Sequence, residues 1–231
     1  MIRWEAPGCE VAFTTRLGGV SEGPYASLNL GRKSGDDPER ADENRRIACG
    51  AIGADVEKLA LNYQVHSARV LRAAPALRGE HADGLWTDEP GLPILAMSAD
   101  CLPIALARDG RPGVAVLHAG WRGLLAGIVA AGVDALGGGA LSAAVGPGIG
   151  PCCYEVGEEV AAPFRDRFGD EVVRNGRLDL WTSAERALRA AGVARVDRFD
   201  RCTACEPETF FSHRRDAGRT GRQGVIAYVA G

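Results

Sequence analysis

The sequence predicts an α+β fold built on mixed sheets. Three observations carry that expectation. Short apolar runs bounded by glycine or proline recur along the chain and read as strands. Stretches of helical period with one apolar face lie among them. The two kinds of element do not alternate strictly, as a doubly wound parallel sheet would require.

Taken in order, residues 11–14 read as a strand, followed by a glycine-rich loop over 18–24. A helix is expected over 38–49, with Asp37 as its N-cap and Pro38 at the first helical position, where a missing N–H costs nothing. Residues 59–65, 68–71, 93–97 and 102–107 read as strands, and 113–117 as a buried one. The strongest helical pattern spans 120–136, where Trp121, Leu124, Leu125, Ile128, Val129, Gly132, Val133 and Leu136 share one face. Residues 141–145 form a further strand and lead into the turn-rich GPGIGPCC. Helices are expected at 156–168 and 180–191, and strands at 196–199 and 224–229. No linker or low-complexity tract divides the chain, so 1–231 reads as a single domain.

Composition narrows the function classes. Hydrophobic residues make up 46% and charged residues 25%, the balance of a folded globular protein. A net charge of −3 argues against broad nucleic-acid binding or an anionic membrane surface, while leaving room for a local basic pocket. Of 27 basic residues only Lys33 and Lys58 are lysine, an arginine excess that reads mostly as coding bias, with surface arginine as the default. The most apolar stretch, 92–107, is interrupted by Asp100 and two prolines and falls short of the roughly 18 residues of a membrane span. The opening MIRWEAPGCE carries Glu5 and Glu10 in place of an apolar signal core, so a cytoplasmic location is expected. In that reducing setting the seven cysteines read as free thiols or ligands.

Three residues stand where strand becomes loop. His66 follows a strand in NYQVHS, Cys101 lies between two strands in SADCLPIAL, and His118 ends VAVLH just before AGWRG. Two imidazoles and a thiolate form a zinc-binding set that leaves a fourth position for water or substrate. The same residues also suit a nucleophilic Cys101 activated by His118 or His66, with Asp100 placed to orient a histidine or equally to form a salt bridge. They equally suit hydrogen-bonded structural histidines around a small buried thiol. Residue identity leaves all three open.

Other motifs say less. Cys202-Thr-Ala-Cys205 has zinc or redox spacing, but no second CxxC completes a ribbon, so two free thiols near a turn are expected. GPGIGP matches no phosphate-cradle pattern, and its prolines remove backbone donors. No histidine has glutamate two residues on, so the zinc nucleobase-deaminase pattern is absent. Arg214, Arg215 and Arg222 could fork onto phosphate, although such a run reads first as a solvated, salt-bridged face. Arg16 and Arg122 are better placed for a small anion, each beside a glycine-rich loop.

In order along the chain stand TTRLGGVSEGPYASLNLG (14–31), QVHS (64–67), ADG (82–84), SADCLPI (98–104), HAGWRG (118–123), GPGIGPCCYEV (146–156) and FFSHRRD…TGRQ (210–223). This set, which covers nearly the whole chain, resembles the laccase-domain family, described both as polyphenol oxidases and as purine nucleoside phosphorylases. The resemblance implies a cytoplasmic single domain with layers in the order α/β/β/α, related to cysteine-hydrolase-like folds. It implies zinc held by His66, Cys101 and His118. It further implies phosphorolysis of adenosine, inosine, guanosine and S-methyl-5'-thioadenosine to free base and (methylthio)ribose 1-phosphate, with deamination of adenosine to inosine alongside.

The older description implies copper-dependent phenol oxidation. A multicopper oxidase needs many more histidines than the four present, which ranks that activity second. Motif membership assigns Arg16 and Arg122 to the phosphate, and Asn44, Gln64 and Asp83 to sugar or base. Asp100 or Asp83 would carry a proton in deamination. The chain departs from the family pattern at His213, where an aromatic is usual, and at His81, Cys202 and Cys205, which receive no catalytic role. Purine nucleosides and phosphate are thus the expected partners, with no nucleic acid and no membrane. The oligomeric state is left open.

Overall fold

The computed structural model of the protein describes residues 1–231. In chain order it contains β1 (Ile2–Ala6), β2 (Cys9–Phe13), α1 (Pro38–Gly50), β3 (Ala60–Leu61), β4 (Val70–Arg72), β5 (Gly84–Thr87) and β6 (Ile94–Ser98). There follow β7 (Leu102–Arg108), β8 (Val114–Ala119), α2 (Trp121–Ala126), α3 (Ile128–Ala135), β9 (Leu141–Val145) and α4 (Glu158–Phe168). The chain closes with β10 (Val173–Arg174), β11 (Arg177–Leu178), α5 (Leu180–Ala190), β12 (Arg195–Arg198) and β13 (Gln223–Val229). Five strands pair in the order β1-β2-β13-β6-β3 and six in the order β12-β9-β7-β8-β5-β4, while β10 and β11 form a small hairpin. Both large sheets are mixed: β3 runs parallel to β6 and β12 parallel to β9, whereas β7 is antiparallel to β8 and to β9.

Successive side chains on a strand point to opposite faces, and that alternation sorts the apolar residues into three cores. Val11, Phe13, Ile94, Ala96, Val225 and Ala227 from the first sheet meet Ala105, Ala107, Val114 and Val116 from the second. The opposite faces of the same strands supply the other two cores. Ile104, Leu106, Ala115 and Leu117 pack against Leu124, Ile128, Phe164 and Leu188 of α2 to α5. Ala12, Leu95 and Ile226 pack against Ala48 and Cys49 of α1. The layers therefore run α/β/β/α, as expected. Strand β7 is buried on both faces along its whole length, so its sequence LPIALAR shows no polar alternation.

Two of the expected elements differ in extent from the sequence expectation. The helix expected over 120–136 is two helices, because Gly127 adopts φ 93° and its N–H caps the carbonyls of Gly123 and Leu124. Glycine enters this left-handed region without a Cβ penalty, and the apolar face continues across the break. The strand expected over 59–65 shrinks to Ala60–Leu61, since residues beyond Leu61 leave the sheet to carry His66. Strands β1, β5, β10 and β11 were not foreseen; β1 is the outer half of a hairpin with β2. No helix is long and apolar enough to cross a membrane.

Candidate metal centre and active site

The site sits at one end of the six-stranded sheet. Because β7 and β8 are antiparallel, the start of β7 lies beside the end of β8, and Pro103 pairs with His118. Strand β5 runs antiparallel to β8 on its other side, which brings Asp83, just before β5, against His118. The loop entering β4 adds His66. The candidate metal ligands His66, Cys101 and His118 thus come from the loop before β4, the turn before β7 and the end of β8, and their donor atoms lie within 4.8 Å of one another. Cys101 Sγ is 4.0 Å from His66 Nε2, and the two imidazole rings meet edge to face with centroids 4.8 Å apart.

Asp83 organises this cluster from beneath. Its Oδ1 accepts from the His66 backbone N–H at 2.9 Å and faces His118 Nδ1 at 2.9 Å. Its Oδ2 accepts from the N–H of Val65 at 3.2 Å, and from the N–H and Oγ of Ser67 at 2.6 and 2.8 Å. With Nδ1 engaged, His118 presents Nε2 to the site; a carboxylate behind a histidine fixes the ring and its donor nitrogen in this way. Asp83 also holds His66 at φ 62°, a left-handed conformation that costs an ordinary residue about 1–3 kcal/mol unless its surroundings impose it.

Asp100 does the matching work for Cys101. It stands at φ 88° in the turn that carries the chain from β6 in one sheet to β7 in the other. Its Oδ1 accepts from Thr203 Oγ1 at 2.6 Å, its Oδ2 from the Arg214 N–H at 2.7 Å, and its carbonyl from the Ile149 N–H at 2.8 Å. On the far side, Gly120 allows close approach: a Cβ there would stand 2.8 Å from Cys101 Sγ.

Charge follows from this packing. Burial pushes the Cys101 thiol up, but His118 and His66 outweigh it and bring the thiol down to about 6. Burial likewise opposes protonation of His118, yet Cys101 and Asp83 together raise it to about 9. Asp83, despite its burial, is held down to about 2 by His118 and the donors of Ser67. Each of the two groups thus favours the charged form of the other, thiolate beside imidazolium. The donor set suits a metal ion: two nitrogens and one ionised sulfur converge, His66 is exposed and Cys101 half-buried, so the open side faces solvent.

The other sequence-predicted residues fall into two groups. Asn44 is fully buried, its Nδ2 donating to Ser21 Oγ and the Asn29 carbonyl and its Oδ1 accepting from the Val20 N–H, so it pins the glycine-rich loop. Gln64 pairs with the backbone of Met97 in both directions, at 2.6 and 2.9 Å. Arg16 donates to the carbonyls of Ala26 and Pro207 and stacks 4.8 Å over Phe211. Arg122 is exposed, its guanidinium 4.2 Å over the Trp121 ring.

The cationic run at 214–222 is not one solvated face. Arg215 pairs with Asp216, as expected of such a face. Arg222 is half-buried, close enough to feel the charges of Asp100 and Cys101, and Arg214 stacks 5.1 Å over Tyr154. Ser67, Tyr154 and Thr203 also belong to the site's surroundings and were missed; only their positions beside recognised motifs could have flagged them.

Fold and site together define a layered α+β protein with a three-donor cluster able to hold a metal ion. The chain belongs to the family described as multi-copper polyphenol oxidoreductase laccase, whose model matches residues 10–230. It is 42% identical over 225 residues to a purine nucleoside phosphorylase of Deinococcus radiodurans, covering 93% of this chain and 87% of that one. It is 37% identical over 241 residues to the purine nucleoside phosphorylase YfiH of Escherichia coli, covering 98% and 97%. Among solved structures, a Neisseria meningitidis protein superposes with a TM-score of 0.92 at 35% identity, covering 100% of this chain and 99% of that one. YlmD of Geobacillus stearothermophilus superposes with a TM-score of 0.89 at 34% identity, covering 97% and 93%.

Proposed function

We propose that the chain, acting as one unit over 1–231, is a zinc-dependent purine nucleoside phosphorylase of the cytoplasm. It cleaves adenosine, inosine, guanosine and S-methyl-5'-thioadenosine with phosphate to free base and (methylthio)ribose 1-phosphate, and it deaminates adenosine to inosine. The observation that carries this reading is the open convergence of His66, Cys101 and His118 at one sheet end, in a chain whose relatives are named purine nucleoside phosphorylases. Zinc fits two imidazoles and one thiolate, and when bound it supplies Lewis-acid polarisation at the open position.

Phosphorolysis breaks the C–N glycosidic bond, forms a C–O bond to phosphate, and leaves the departing base to take a proton. The protein's task is to place the anion beside the anomeric carbon and to hold the base. Arg122 takes the phosphate, since it is exposed just beyond His118 in HAGWRG, and Arg222 adds positive charge near Asp100 and Cys101. Val65, exposed at 43% and next to His66 in the chain, offers an apolar face for the purine. Arg16, Asn44 and Gln64 act by holding the loops around this cleft. Asp83 and Asp100 have both carboxylate oxygens committed to loops and to His118, so they position Cys101 and the histidines and are not assigned the proton.

Chromatography of adenosine incubated with the protein tests the reading. Adenine that forms only with phosphate supports phosphorolysis, and inosine that forms without it supports deamination. A protein that releases neither overturns the proposal. The thiolate–imidazolium pair favours a second reading, a cysteine hydrolase or amidase using Cys101 and His118. That activity would survive chelators and succumb to thiol alkylation. Copper-dependent phenol oxidation fits less well, because His81 lies against Tyr63, with ring centroids 5.0 Å apart, and not beside the cluster.

A further inference from the structure

A second cluster of metal-ligand type lies outside the catalytic centre. Cys152 and Cys153 come from the turn after β9, and Cys202 and Cys205 from the loop after β12. Their four sulfurs lie within 4.8 Å of one another. Cys205 Sγ is 3.4 Å from Cys152 Sγ and 3.3 Å from Cys153 Sγ. A single tetrahedral ion with metal–sulfur distances near 2.3 Å would set its sulfurs about 3.8 Å apart, so the four need only small adjustments. We propose that these four cysteines hold a second, structural zinc ion.

The backbone supports this assignment. Each cysteine pair sits in a tight turn: the Cys153 and Tyr154 N–H groups donate to the Gly150 carbonyl, and those of Cys205 and Glu206 to the Cys202 carbonyl. The two turns are joined directly, Thr203 N–H to the Gly148 carbonyl and Gly150 N–H to Cys202 Sγ at 3.3 Å. A backbone donor aimed at sulfur stabilises the thiolate that a metal requires. Four thiolates give a closed sulfur site suited to zinc. An iron–sulfur cluster would need its cysteines spread around a body of several atoms, farther apart than they stand here. Cys152 and Cys205 are exposed, which leaves a path for the ion to enter.

The placement also gives the ion a purpose. Thr203, between Cys202 and Cys205, donates to the Asp100 carboxylate, and Ile149, on the other turn, donates to the Asp100 carbonyl. An ion joining the two turns would staple the frame that holds Asp100 ahead of Cys101. Neither turn contributes a ligand to the His66, Cys101 and His118 cluster, so each site can be emptied by a variant of its own ligands.

The test is zinc uptake by the reduced, metal-stripped protein, measured by elemental analysis after titration with zinc alone. Two equivalents per chain are expected for the wild type, and one for Cys101→Ala. One is also expected for Cys152→Ser combined with Cys205→Ser, with a melting temperature several degrees lower. Cobalt(II) gives an independent reading: its sulfur-to-metal charge-transfer absorption, which scales with the number of bound thiolates, should stay at about four-fifths of the wild-type intensity in Cys101→Ala and fall to about one-fifth, the share of Cys101 alone, in the double variant. Should the double variant fold poorly, Cys205→His retains a donor and should restore the second equivalent.

Uptake of only one equivalent by the wild type, unchanged in the double variant, overturns the proposal. So does protein that leaves the cell metal-free at these thiols, with a mass two hydrogens lower from a bond between Cys205 and Cys152 or Cys153.

Discussion

His118 and Asp83 are joined twice, ring Nδ1 to carboxylate Oδ1 at 2.9 Å and backbone N–H to carbonyl at 2.7 Å. The same carboxylate takes the backbone of Val65, His66 and Ser67. One buried acid therefore sets the position of one candidate ligand loop and the ring orientation of another.

Asp83→Asn keeps the shape and removes the charge. It should weaken zinc binding and activity by roughly 10–100-fold, the usual cost of losing a partner behind a metal ligand. In the metal-stripped protein it also has a pH signature. Asp83 is depressed in the folded state to about 2, so its stabilisation is present above its unfolded value near 3.8 and is lost as pH falls toward 2. Wild type and variant should differ by about 2 kcal/mol in urea unfolding at neutral pH and converge between about pH 4 and 2. A gap that persists unchanged at pH 2 would show that the difference does not arise from the Asp83 charge.

Gly120→Ala should abolish metal binding while leaving the fold intact. The new methyl would stand 2.8 Å from Cys101 Sγ and 3.3 Å from His66 Cδ2. Circular dichroism and zinc analysis of the same sample separate the two effects, and a variant that still binds one ion at the site contradicts the geometry.

The Cys101 thiol should titrate early. In metal-stripped protein its thiolate is present above about 6, so alkylation should reach half its maximal rate near that pH, well below the ordinary thiol value of 9.0. Replacing His118 with glutamine should move the midpoint upward. An unchanged midpoint would mean the imidazole is not what ionises the thiol.

Arg122→Gln should raise the KM for phosphate by roughly 10-fold or more, the range expected for a lost charge-assisted hydrogen bond, with a smaller effect on the KM for adenosine. Equal effects on both would place Arg122 outside the anion site.

The candidate ligands were legible because histidine and cysteine at strand ends are conspicuous, and the layered fold because strand alternation sorts residues between cores. The roles of Asp83 and Asp100 were not. Asp83 reaches His118 only because β5 lies beside β8, and Asp100 reaches Thr203 across more than a hundred residues. Motif membership flagged Asn44 and Gln64 as polar groups of interest, but their use as braces depends on which backbone they face. Arg222 was grouped with its neighbours in sequence, although it lies close enough to feel the charges of Asp100 and Cys101. The cysteine pairs at 152–153 and 202–205 read as separate features until the Gly148 and Cys202 backbones meet.

The most direct test of the central claim is adenosine phosphorolysis by zinc-loaded wild type and by Cys101→Ala under identical conditions. The predicted result is adenine and ribose 1-phosphate released in equal amounts by the wild type, with no turnover and no zinc at the His66, Cys101 and His118 centre in the variant. Full phosphorolysis by Cys101→Ala with that centre empty would contradict the account.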